Sequence, residues 1–260
     1  MGNQNANTQD NIMPYYDLEN TIYTIQKDSV FIEASKIKSI RKRDDYISQK
    51  LDQCQKPNLD PNAFLKFDFD KEIDSKIIER VGARRLPNLG TLCLSHIGNK
   101  QNDFMRFLQL NFPKSIDRLE LPYANLNINS MDIGEHLKHI KQNIMLSMSI
   151  SGLIMDISHF QQLLEFGDHL QQINLSNNTI VHKEGEELKL QSKFENLKSL
   201  DLEGISLGRR NTEYLVDYLI QTKVVEQMYY LNVYQPGLQD LLKQLDQRLK
   251  ENGFKGKQLD

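Results

Sequence analysis

The chain has 260 residues, 39% hydrophobic and 26% charged, with a formal net charge of −3. That length supplies one large core or two small ones, and the near-balanced charge removes the electrostatic case for nucleic acid or an anionic membrane. No apolar run approaches the roughly 20 residues of a spanning helix, and two cysteines, Cys54 and Cys93, are too few for a disulfide framework.

Residues 1–14 are polar and rich in Asn and Gln, which predicts a disordered tail. They lack the charged start and apolar core of an export signal, so a cytoplasmic location is expected. Gly2 invites N-myristoylation, but Ala6 stands where Ser or Thr is wanted, and a lone acyl chain anchors weakly. Residues 15–60 read as an N-terminal cap. Alternation over Thr21–Ile25 and Ser29–Glu33 predicts two short strands. Ile37, Ile40, Ile47 and Leu51 then recur at helical spacing, and the basic run from Lys36 to Arg43 is met at once by Asp44 and Asp45, as on a solvated helix face.

Residues 61–238 read as an array. Apolar triplets recur with one pattern: Phe64, Phe67, Phe69; Leu89, Leu92, Leu94; Ile116, Leu119, Leu121; Met145, Met148, Ile150; Leu170, Ile173, Leu175; Leu197, Leu200, Leu202; and Met228, Leu231, Val233. First positions are offset by 25, 27, 29, 25, 27 and 31 residues. Several units carry a further apolar residue five places on, at Leu126, Met155, Ile180, Leu207 and Leu238. Each triplet predicts a short strand with its anchors on one side.

The segments between triplets predict amphipathic helices, for example through Phe160, Leu163, Leu164 and Phe166, or Tyr214, Leu215, Tyr218 and Leu219. Asn129, Asp156 and Asn211 fall where N-caps are wanted. Lys183–Phe194 has a broken pattern and is expected to be irregular. Residues 239–260 close the chain: Leu241, Leu242, Leu245 and Leu249 predict a capping helix to about Glu251, and the polar remainder should fray.

The clearest copy, Leu170 to Ile180, matches L-x-x-L-x-L-x-x-N-x-L at every fixed position, with Ile173 and Ile180 in place of Leu. The array thus resembles the leucine-rich repeats, and its offsets resemble the long, ribonuclease-inhibitor-like branch. The resemblance covers roughly residues 63–238. It implies an α/β solenoid, a horseshoe with a parallel concave sheet, convex helices and a cap at each end. It also implies a concave face that binds another protein. Asn178 sits where the chain bends away, and its amide can bond the bare backbone groups of that bend.

The outward positions of the strands are the candidate contacts. One column reads Asp68, Cys93, Glu120, Ser149, Asn174, Asp201, Asn232, and the next contains Glu203 and Tyr234. With Tyr123, Tyr229 and Tyr230 these give a partner-binding set of Asp68, Glu120, Tyr123, Asn174, Asp201, Glu203, Tyr229, Tyr230, Asn232 and Tyr234. Aromatic residues of this kind anchor interfaces, although the terminal tyrosines could instead pack under the last helix and the carboxylates could be ordinary surface. Nothing in the pattern calls for a cofactor or metal. Glu135, His136 and His139 read as a solvated helix, and there is no glycine-rich phosphate loop. The expected function is therefore a non-enzymatic interaction scaffold or assembly subunit. The alternative is a regulatory adaptor: a ubiquitin-ligase receptor, or a GTPase activator working through Arg209 and Arg210.

Overall fold

In the computed structural model the described residues are 64–68, 89–98, 104, 115–128 and 140–258, of which 64–68, 89, 127 and 257–258 are described by backbone alone. The expected N-terminal tail, its acylation, the cap, Asn129 and the histidine pair at 136 and 139 lie outside them.

Eight strands form one parallel sheet: β1 (Phe64–Asp68), β2 (Leu89–Ser95), β3 (Ile116–Leu121), β5 (Ile144–Ile150), β7 (Gln172–Asn174), β9 (Ser199–Asp201), β10 (Tyr230–Asn232) and β11 (Lys257–Gln258). Their spatial order equals their chain order. A second parallel ladder joins β4 (Leu126–Asn127), β6 (Leu153–Met155) and β8 (Thr179–Ile180). Three helices, α1 (Ile157–Phe166), α2 (Arg209–Gln221) and α3 (Gln239–Glu251), lie between or beyond the later strands. This is a mixed α/β fold with an extended parallel sheet, compatible with a repeat solenoid. No helix among the described residues is long and apolar enough to cross a membrane.

One register row runs through the whole sheet: Leu65, Leu92, Leu119, Met148, Ile173, Leu200, Leu231 and Gln258 are successive partners. From Leu92 to Leu231 every member is buried. Together with Leu94, Leu121, Ile150, Leu175, Leu202 and Val233 they line a single core, completed by Phe160 and Phe194. A short strand has only one side to hide, so each row shelters the next.

Asp156 caps α1 as expected, accepting the His159 backbone N–H at 3.0 Å. The buried face is the predicted one: Phe160, Leu163, Leu164 and Phe166. Residues 183–194 contain no helix, as the broken pattern suggested, although Leu188, Leu190 and Phe194 are buried.

Four expectations need correction. The triplet at residue 64 is set two residues along, because Leu65 and Phe67 pair with Leu92 and Leu94, and Asp68 pairs with Ser95 rather than Cys93. Met145 is not an inward anchor: Ile144 takes that place opposite Ile116, and a bulge follows between Ile116 and Arg118 of the partner strand. Asn211 is not a cap but the third residue of α2; its Oδ1 accepts the Leu188 N–H and its Nδ2 donates to the Leu207 carbonyl. Residues 252–258, expected to fray, are held in place. Phe254 is buried, and β11 pairs with β10. Gly256 lies so close to Tyr229 that a Cβ there would stand 2.4 Å from its carbonyl.

Candidate interaction surface

Successive register partners form columns whose members are about 4.8 Å apart. The middle column reads Lys66, Cys93, Glu120, Ser149, Asn174, Asp201, Asn232. The column before it reads Phe64, Thr91, Arg118, Ser147, Gln172, Ser199, Tyr230, Lys257.

The last three members of the middle column do not face a partner freely. Asp201 and Asn232 are 3% and 1% exposed. Each of Asn174, Asp201 and Asn232 folds its Oδ1 back to accept a backbone N–H two residues on, from Ser176 at 2.9 Å, Glu203 at 3.1 Å and Tyr234 at 3.0 Å. These are Asx turns that end the strand while satisfying an N–H the sheet no longer pairs. Neighbouring turns touch, since Asn174 Nδ2 donates to Asp201 Oδ2 at 3.4 Å, a long and weak bond. The expectation that these three are contact residues fails for Asp201 and Asn232, and the reason is local: a short carboxylate or amide at a strand end is worth more to its own backbone than to solvent.

Asn178 does for the bend what the three do for the strand ends. It is buried; its Oδ1 accepts the Leu153 N–H at 2.7 Å, and its Nδ2 donates to the carbonyls of Ile150 at 2.8 Å and Leu175 at 2.6 Å. Two of those three partners belong to the preceding unit, so this side chain ties one repeat to the next.

Beyond β2, β3, β5, β7 and β9 the chain turns through a left-handed residue at a fixed place: His96, Tyr123, Gly152, Asn177 and Gly204, with φ between 53° and 79°. Gly152 and Gly204 adopt this region freely and Asn177 tolerates it. For His96 and Tyr123 it is strained. Their rings stack, with centroids 5.4 Å apart and planes inclined by 9°. Tyr123 is 42% exposed, and its N–H is bonded to Ser151 Oγ.

The remaining site residues separate clearly. Glu203 is exposed, while Glu120, Asn174, Tyr230 and Tyr234 are partly exposed. Asp68 is placed by backbone only, at the end of β1. Tyr229 is 51% exposed and so does not pack under α3; its hydroxyl accepts Gln172 Nε2 at 2.8 Å, reaching past β9 to β7.

Met145, which the sequence reading put inside, belongs to this surface together with its neighbour Leu146. At the bulge of β5, Met145 and Leu146 are 53% and 37% exposed. Both stand opposite the single residue Asp117. The longer spacing of that unit, 29 against 27 and 25 in its neighbours, was the available signal.

On the helical side, Asp156 also accepts His159 Nδ1 at 2.7 Å and pairs with the Lys183 ammonium. Burial pushes this carboxyl up, but the Lys183 contact and the two bonds from His159 outweigh it and hold the group well below the carboxylate range. Arg209 and Arg210 open α2 and pair with Glu213 at 3.6 Å and Glu187 at 2.6 Å. Among the described residues no group of three or more His, Cys, Asp or Glu side chains could hold a metal ion.

No family model matches the sequence, and no curated protein matches it either.

Proposed function

We propose that the chain is a leucine-rich-repeat protein of the long-repeat, ribonuclease-inhibitor-like branch, a cytoplasmic, non-enzymatic scaffold or assembly subunit that binds a partner protein on the outward face of its large sheet. The repeat reading is supported by the inward row of Leu92, Leu119, Met148, Ile173, Leu200 and Leu231, in which every strand is sheltered by the next. The horseshoe shape and the division into an array at 61–238 between caps are part of the same proposal.

The observation that carries the binding role is the apolar and aromatic side chains left exposed along that sheet: Met145, Leu146, Tyr229 and Tyr123. Met145, Leu146 and Tyr229 lie along the leading edge of that sheet, and exposed apolar groups that share one edge mark contact surfaces. Tyr230, partly exposed beside Tyr229, adds a polar hydroxyl to this surface.

The test is site-specific photo-crosslinking in the native cell. A crosslinking residue replacing Gln172, on the outward face of β7, is expected to capture one defined protein; the same residue replacing Gln162, exposed on α1, is not. Capture only from position 162 would move the binding surface to the helices and sink the proposal.

A further inference from the structure

The bulge in β5 and the pinned tyrosine before β10 stand at two ends of one continuous row. The Gln171 N–H donates to the Leu146 carbonyl at 2.9 Å, the Lys198 N–H to the Gln171 carbonyl at 2.8 Å, and the Tyr229 N–H to the Lys198 carbonyl at 2.9 Å. Leu146, Gln171, Lys198 and Tyr229 are thus neighbours across the leading edge of β5, β7, β9 and β10. Bulges are uncommon in parallel pairs, and where they occur they re-aim side chains. This one leaves two apolar side chains, Met145 and Leu146, exposed opposite the single residue Asp117 of β3.

At the far end, the Gln172 carboxamide holds the Tyr229 hydroxyl, so the ring is ordered before any partner arrives. An ordered aromatic loses little entropy on binding. Between the ends, the exposed Lys198 ammonium donates to Gln171 Oε1 at 3.3 Å, and no carboxylate among the described residues pairs with it. The first outward column beside this edge carries Thr91, Arg118, Ser147, Gln172, Ser199 and Tyr230, without an acid. Across the bulge the row continues to Asp117 of β3, so it reads carboxylate, apolar, carboxamide, ammonium, aromatic, with the ammonium between the two apolar ends.

Resting on the proposed binding role and deepening it, we infer that this leading edge takes an extended, acidic segment of a partner protein, with one apolar anchor against Met145 and Leu146 and a second against Tyr229. Three strand spacings of about 4.8 Å separate the two ends by about 14 Å. An extended chain at about 3.3 Å per residue spans this in about four residues. The segment is thus two large apolar residues four places apart, with Asp or Glu between them opposite Lys198.

A phage library of random dodecapeptides selected on the full chain tests this. Enrichment of that spacing with an intervening acid is expected. The double variant Met145→Ser with Leu146→Ser should retain at least about tenfold fewer of the enriched phage. Lys198→Glu, which alters a wet side chain and leaves the fold alone, should switch the intervening residue from acidic to basic. No enrichment, enrichment indifferent to charge, or equal retention by the serine variant would overturn the inference. Concentration-dependent dimerisation in sedimentation equilibrium, abolished by the same serines, would assign the edge to a second copy of the chain and overturn it as well. Crosslinks from position 172 alongside any of these failures would leave the binding role standing and remove only the peptide.

Discussion

Strands β7, β9 and β10 share their inward row with β2, β3 and β5 but use their outward residues differently. In the later three the middle column is Asn174, Asp201 and Asn232, and each closes its own strand through an Asx turn. In the earlier three it is Cys93, Glu120 and Ser149. The following turn repeats the contrast, with Asn177 and Gly204 after β7 and β9 but His96 and Tyr123 after β2 and β3. One half of the sheet thus has residues suited to its backbone, and the other contains strained aromatics and the bulge. Polar groups consumed by their own turns are poor contacts. Departures from the local rule are where function is to be sought, because a site has other demands than folding.

The comparison presumes one shared core, and the harshest way to break it is Leu175→Asp. That side chain is fully buried between units, so an unpaired charge there should cost more than about 4 kcal/mol and unfold the later strands cooperatively. An unchanged melting temperature would contradict the register.

Asn178→Ala comes next. It leaves the Leu153 N–H and two carbonyls without their buried partner, which should cost about 3 kcal/mol in denaturant unfolding. A loss under about 1 kcal/mol would mean the units are held together by apolar contact alone.

A smaller pair sharpens the contrast directly. Asn232→Ala should cost about 1–2 kcal/mol, because the Tyr234 N–H loses its acceptor, whereas Ser149→Ala in the same column should stay within about 0.5 kcal/mol. Equal effects would erase the distinction between the two halves.

The smallest effect is set by pH. The Asp156 carboxyl is held below its ordinary value of 3.8 in the folded chain. Its contribution is therefore fully present above 3.8 and lost as pH falls below that value toward the folded one. The stability difference between the natural chain and Asp156→Asn, followed by denaturant midpoints from about pH 6 down to about pH 3, should shrink only below 3.8. A difference that is flat with pH would reduce Asp156 to a neutral helix cap.

Much of this was legible in the residues. The triplets located the strands, the Phe160 stripe and Asp156 located α1 with its cap, and Asn178 was readable as the residue that serves the bend. Local patterns suffice there because a strand alternates and a helix turns at fixed periods, whatever surrounds them. Met145 and Ile144, by contrast, are both apolar and adjacent, so only pairing against Ile116 decides which goes inside. Asp201 reads as a surface acid until the backbone two residues on is seen to need an acceptor.

The sequence by itself determined where the triplet strands of the large sheet fall and which residues could line a core, since those follow from spacing and polarity. Tertiary structure decided the register of β1, the bulge of β5, and the capture of the polar tail as β11, whose pairing uses backbone groups that every residue carries and no side chain announces. It also decided which outward groups remain wet, because burial is a property of neighbours brought together by the fold.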